Sequence, residues 1–151
     1  LNDPSGDYPA AILALGATLH TDRRQIPADD FFTGAFETSL ADDELITRIT
    51  VPIPEASAYV KFTTSASHYA IAGVMVAKSR DGVRVAVTGA GPQVFRVAEM
   101  EAALAADFSA SALKGLKVSA DTLNSDLHAS AEYRAHLITV MAKRAVAQAS
   151  S

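Results

Sequence analysis

The residues that could do chemistry are few, and most are set aside by their spacing. Gly89-Ala90-Gly91 stands between a strand-like run and a helix-like run, a place where a backbone loop can cradle a phosphate. It is not a GxGxxG pattern and no Lys-Ser or Lys-Thr pair follows, so it predicts a loop that turns the chain from sheet to helix. The four histidines are His20, His68, His128 and His136. None has a partner at i, i+4 helical spacing and none sits among clustered carboxylates, so no metal site is predicted. Asp42-Asp43-Glu44 predicts a solvated turn before a strand rather than an acid–base pair. The chain has no Gly-x-Ser-x-Gly elbow and no cysteine. A thiol nucleophile, a disulfide framework and a Cys-held iron–sulfur or zinc site are therefore excluded within it. No catalytic residue is assigned.

Charge and hydropathy narrow the partners. Lys plus Arg number 13 against 17 Asp plus Glu, a net charge of −4. Without a basic run or an aromatic–basic stripe, nucleic acid is not an expected partner. No apolar stretch approaches the roughly 18 to 20 residues that span a bilayer, so no membrane span is expected. No charged leader precedes an apolar core at the start, and cytoplasm is the expected compartment. The 151 residues are 49% hydrophobic and 20% charged, enough for a core without metal or disulfide staples. Leu1 opens in the middle of a loop-like phrase, Leu1-Asn2-Asp3-Pro4-Ser5-Gly6-Asp7, which reads as a piece of a longer chain.

The elements that must position these residues follow from periodicity. Pro9 suits a first helical position with Asp7 before it as a cap, and Gly16 ends a short apolar helix. Ala17–Thr21 reads as a strand. Glu44–Val51 alternates apolar and polar residues, as a half-buried strand does. Pro52-Ile53-Pro54-Glu55 is the expected boundary, because two prolines stiffen it and remove ladder donors. Ala58–Thr63, Ala70–Lys78 and Val83–Thr88 are strand signals, with Asp81-Gly82 as a hairpin cue between the last two. Val83, Val85 and Val87 share one face; the face of Arg84 and Thr88 is expected to be partly wet. Val97–Ala106, a short helix after Ser109, and Ser130–Ala149 complete the chain. In the longest helix Tyr133, Leu137, Val140, Met141 and Ala145 mark the buried stripe. Strands first and helices afterwards predict an α+β fold, a small antiparallel sheet of about three strands packed with helices.

The order of short phrases carries a resemblance. Asp3-Pro4-Ser5-Gly6-Asp7-Tyr8-Pro9-Ala10, then Arg24-Gln25-Ile26-Pro27-Ala28-Asp29-Asp30-Phe31-Phe32, then Glu44-Leu45-Ile46 followed by Val51-Pro52, stand in the first third. Tyr59-Val60-Lys61-Phe62, Ser67-His68-Tyr69-Ala70, and Gly89-Ala90-Gly91-Pro92 with Arg96 and Glu99 follow, and Tyr133-Arg134 with Arg144-Ala145 closes the set. In this order they resemble the C-terminal part of the FAD-binding medium subunit of the carbon monoxide dehydrogenase and xanthine dehydrogenase family of molybdenum hydroxylases. The resemblance divides the chain into residues 1–54, the tail of an α+β FAD-binding domain, and residues 55–151, the C-terminal domain of the medium subunit. It implies FAD as cofactor, with a molybdenum-cofactor large subunit and a 2Fe–2S small subunit as partners. Electrons would pass from 2Fe–2S clusters to FAD and on to an external acceptor. The family's glycine-rich phosphate loops have no counterpart in these residues, so this chain alone is expected to hold FAD weakly or not at all and to be inactive by itself.

Four positions acquire expected roles from the resemblance. Asp7 falls where a carboxylate accepts a hydrogen bond from the flavin N3–H, beside its reading as a helix cap. Ile46 falls where an apolar residue packs on the isoalloxazine, beside its reading as a core strand residue. Lys61 falls where a lysine reaches the polar edge of the ring, beside its reading as an exposed strand lysine. Tyr69 falls where an aromatic lies against the flavin. All four are expected to line one cleft. The competing function is a non-catalytic subunit-docking domain with no flavin contact of its own, since the helices after residue 57 offer surface for partner chains. A small hydrolase is set aside for want of a nucleophile.

Overall fold

In the computed structural model, which describes residues 1–151, Pro9 and Gly16 frame the first helix, α1 (Asp7–Ala14). Gly16 takes a φ of +62°, the left-handed conformation that stops a helix. Gly6 rather than Asp7 occupies the cap position and no side chain caps the helix. The Asp7 carboxylate is engaged elsewhere, which replaces the expected capping role.

Two short strands follow, β1 (Thr18–Thr21) and β2 (Gln25–Pro27), then a single 3-10 turn, Ala28–Asp30. A small hairpin of β3 (Phe32–Gly34) and β4 (Glu37–Thr38) leads to β5 (Ile46–Thr50). β1 pairs antiparallel with both β2 and β5, giving a three-stranded sheet of order β2-β1-β5.

After the proline boundary come β6 (Ala56–Thr63), β7 (Ala70–Ser79), β8 (Gly82–Thr88) and β9 (Phe95–Arg96). They form one antiparallel sheet in sequence order. It has one strand more than the periodicity suggests, because a two-residue strand carries no alternation to read. The β7–β8 hairpin lies at the Asp81-Gly82 signal, but Ser79 pairs with Gly82, so Arg80 and Asp81 are the turn residues. Gly82 opens the strand at a φ of +131°.

Two helices complete the fold, α2 (Ala98–Ala106) and α3 (Ala131–Ala149), with a 3-10 turn at Ala110–Leu113 between them. Ser130 caps α3, its side chain accepting from the Tyr133 N–H at 3.2 Å. Val74, Val76, Val85 and Val87 point to one face of the sheet and meet Met100, Leu104, Ile138, Met141 and Val146. The opposite face, expected to be partly wet, is covered by α1: Ile12 and Leu13 share a core with Met75, Ala77 and Ala86. β7 is therefore covered on both sides, and its unbroken apolar run from Ala70 to Ala77 is what a doubly buried strand requires. Tyr133, read as part of the buried stripe of α3, is instead 44% exposed and meets Phe62 edge-on at 6.2 Å. Its neighbour Arg134 turns inward in its place.

Candidate functional site

The segment before α1 is stitched to one end of the larger sheet. The Gly89 N–H donates to Pro4 O at 2.7 Å and the Ala70 N–H to Ser5 O at 3.4 Å. The fully buried Thr88 hydroxyl lies 2.7 Å from Gly6 O and 3.0 Å from Pro4 O, and its one proton serves either carbonyl. Gly89 itself has a φ of +82°, and an added Cβ would lie 2.8 Å from the carbonyl carbon of Ala70. The glycine step is thus a close backbone crossing in the connection from β8 to β9, a strand-to-strand link rather than the sheet-to-helix loop read from its spacing, because the two-residue β9 comes before α2.

This stitching delivers Asp7 to β6. Tyr59 and Lys61 stand two residues apart on β6 and so share a face. The Tyr59 hydroxyl donates to Asp7 Oδ1 at 2.6 Å, and the Lys61 ammonium donates to Asp7 Oδ2 at 2.7 Å. A second Lys61 proton goes to the His68 carbonyl at 3.1 Å. His68 has a φ of +60°, uncommon for a residue with a side chain, in the turn that presents this carbonyl. Burial first, and then the hydrogen bond to Asp7, push the Tyr59 phenol above its ordinary range. It therefore remains a donor at any physiological pH.

The cluster is open to solvent: the Asp7 side chain is 50% exposed and that of Lys61 28%. An ionised carboxylate has about four acceptor positions and an ammonium three donors. Each of these side chains has two in use, which leaves an open acceptor beside an open donor. That pairing matches the C(=O)–N–H edge of an imide, the group that a flavin ring carries on its pyrimidine side.

Of the four expected site residues, Asp7 and Lys61 are bonded to each other. Tyr69 follows His68 at the same corner, half exposed, on the rim of a cavity of about 270 Å³ that Ser5 and Ser67 also line. Ile46 is placed differently. It is on β5, opposite Thr21, half-buried against the α1 core. β5 belongs to the three-stranded sheet and shares no ladder with β6, so Ile46 stands outside the bonded cluster. Tyr59, Thr88 and the His68 carbonyl escaped the sequence reading. For Tyr59 a signal was there, since a residue two before Lys61 on a strand shares its face.

Glu44, expected to be solvated, is only 6% exposed. Its carboxylate accepts from Arg24 Nε and Nη2, both at 2.8 Å, from the Ala41 N–H at 3.0 Å and from the Thr21 hydroxyl at 2.8 Å. The Arg24 hydrogen bonds, then the Ala41 N–H, then Thr21, hold its carboxyl down to about 2. Such saturation makes Glu44 an anchor for the β1–β2 turn rather than a proton carrier.

Comparison with known proteins bears on both halves. Residues 1–54 match the model of the FAD binding domain in molybdopterin dehydrogenase, and residues 57–149 match that of the CO dehydrogenase flavoprotein C-terminal domain. The chain is similar to the nicotine 6-hydroxylase medium subunit of Paenarthrobacter nicotinovorans, with 35% identity across 99% of this chain and 58% of the relative. It is similar to the carbon monoxide dehydrogenase medium chain of Afipia carboxidovorans, with 28% identity across 99% of this chain and 57% of the relative. Its fold superposes on a chain of the reconstituted CO dehydrogenase from Oligotropha carboxidovorans with a TM-score of 0.82 and 28% identity, covering 97% of this chain and 57% of that one. The chain thus spans somewhat more than half the length of these relatives.

Proposed function

Since the chain belongs to the carbon monoxide dehydrogenase and molybdenum hydroxylase family of FAD-binding medium subunits, we propose that the intact protein is the flavin subunit of a molybdenum hydroxylase. In this reading it assembles with a molybdenum-cofactor large subunit and a 2Fe–2S small subunit, and electrons leave the iron–sulfur clusters for FAD and then an external acceptor. Residues 1–54 are the end of the FAD-binding domain and residues 55–151 the C-terminal domain.

FAD, when bound, supplies the electron storage and transfer. The part played by these residues is to hold one edge of it. Asp7 accepts the imide N–H with its open lone pair. Lys61 offers its free proton to a ring carbonyl and its charge to the electron-rich reduced ring. Tyr69 lends an aromatic surface beside His68, and Ile46 an apolar contact from the side of the three-stranded sheet.

The observation that carries this reading is the open acceptor of Asp7 next to the open donor of Lys61. Asp7→Asn and Lys61→Met in the full-length protein test it. Each should weaken FAD retention about tenfold or more, read from flavin absorbance after gel filtration. Unchanged FAD affinity in both variants would overturn the contact of Asp7 and Lys61 with the flavin and leave these residues the docking role.

A further inference from the structure

We propose that Tyr59 is a positioning residue for flavin binding: its hydroxyl, seated over Gly73, fixes the Asp7 carboxylate in the orientation that leaves an acceptor free for the flavin imide. The inference rests on the flavin contact of Asp7 argued above.

Gly73 lies on β7 directly opposite Lys61, and on its other side it pairs with Thr88. A side chain at this position would point into the space that the Tyr59 phenol occupies. A Cβ built on Gly73 falls onto the Tyr59 hydroxyl and lies 2.9 Å from both the Tyr59 Cζ and the Thr88 Cγ2. The missing side chain therefore lets the tyrosine lean across the sheet toward α1. Its backbone partner is Met75, two residues along the strand from Gly73, so the hydroxyl reaches Asp7 diagonally.

Without this bond Asp7 would answer to Lys61 alone. A half-exposed carboxylate with one cationic neighbour turns freely and favours placing both oxygens near the ammonium. With Tyr59 on Oδ1 and Lys61 on Oδ2, the two donors approach different oxygens and the carboxylate plane is set. Thr88, bonded to the carbonyls on the N-terminal side of Asp7, fixes the backbone as Tyr59 fixes the side chain. Because the phenol stays protonated, the clamp does not slacken within the physiological pH range.

The test uses the full-length protein loaded with FAD, and two readouts. One is the dissociation constant for FAD. The other is the pH at which the oxidised bound flavin loses its N3 proton, followed by absorbance. A carboxylate held at N3 opposes the negative charge formed there and raises that pH. Asp7→Asn should lower it. Tyr59→Phe, which keeps the ring and removes only the hydroxyl, should lower it in the same direction by roughly half to one pH unit and weaken FAD about fivefold. Gly73→Ala, which keeps the tyrosine but crowds its phenol together with the Thr88 methyl, should shift the pH at least as far as Tyr59→Phe and serves as the second arm if the Phe variant does not fold. A shift with Asp7→Asn but none with Tyr59→Phe or Gly73→Ala overturns the positioning role and leaves the flavin contact standing. No shift even with Asp7→Asn overturns the flavin contact itself.

Discussion

Arg84 and Asp29 join the two halves of the chain: Arg84 Nη2 on β8 lies 2.6 and 2.7 Å from the two carboxylate oxygens of Asp29, in the 3-10 turn after β2. The same guanidinium donates through Nε to the Leu13 carbonyl at the end of α1, at 3.0 Å. Arg96 approaches Asp29 from β9, also at 3.0 Å. Burial pushes the Asp29 carboxyl upward, and the hydrogen bonds and charges of Arg84 and Arg96 more than reverse it, leaving it below the ordinary carboxylate range. The first 54 residues are therefore tied to the larger sheet by polar contacts as well as by the shared apolar core.

Arg84→Met tests that tie. The substitution keeps an apolar stem against α1 and removes the donors to Asp29 and Leu13. The Asp29 side chain is 42% exposed, so solvent screening limits the ion pair, and the expected loss is about 1–2 kcal/mol. For a chain of this size that lowers the thermal midpoint by roughly 2–8 °C, measured by circular dichroism. A midpoint equal to that of the wild type would show that apolar packing alone holds α1 in place.

Glu44 gives an acid dependence with a definite sign. Its carboxyl is held at about 2 in the fold, against an ordinary value of 4.5. A depressed folded value contributes stability that is fully present above the unfolded value and is lost as pH falls through the folded one. The thermal midpoint of the wild type should thus fall between about pH 4.5 and 2. Glu44→Gln should already be lower at neutral pH and show a flatter decline across that window. Parallel curves for the two proteins would mean that the Arg24 contact contributes nothing to stability.

What the sequence revealed and concealed follows the range of the interactions. The β7–β8 hairpin was legible because a Gly at a turn and alternating valines are local signals. The Asp7–Lys61 pair was not legible from periodicity, since 54 positions separate its members; only the resemblance to a family of known fold suggested both. Glu44 looked solvated because it ends an acidic run, and its burial depends on Arg24, 20 residues earlier. The covered second face of the sheet was missed because its cover, α1, belongs to the other side of the proline boundary. Tyr133 fell on the apolar stripe by spacing, while the buried place went to Arg134, a residue type that periodicity assigns to solvent.

Arg134 and Arg144 lie on the same helix and should differ sharply. Arg134 is 3% exposed; its Nη1 donates to the carbonyls of Ile71 at 2.7 Å and Gly89 at 2.8 Å, and its Nη2 to Asp126 at 2.7 Å. Arg134→Met leaves buried acceptors unpaired and should cost about 2–4 kcal/mol. Arg144 is exposed, and Arg144→Ala should stay within about 0.5 kcal/mol of the wild type. Urea titration of both variants checks the contrast, and equal midpoints would contradict it.

The proline boundary should be cleavable without falling apart. Ile53 is 96% exposed and Glu55 is exposed, so the segment is open to a protease. Pro52 and Pro54 protect the bonds after Val51 and Ile53, and the Glu55 N–H is bonded to the Lys78 carbonyl at 2.8 Å, so a glutamate-specific enzyme cuts Glu55–Ala56 when the start of β6 frays. Once cut, residues 1–55 still place Ile12 and Leu13 against Met75, Ala77 and Ala86, and still hold Asp29 on Arg84 and Asp7 on Lys61 and Tyr59. The two pieces should therefore elute together from a sizing column in native buffer and separate only in denaturant. Adding Arg84→Met should make them separate at lower denaturant than in the wild type. If the pieces part spontaneously in native buffer, the halves are joined chiefly by the peptide bond, and the placement of Asp7 on β6 would then depend on chain continuity rather than on the shared core.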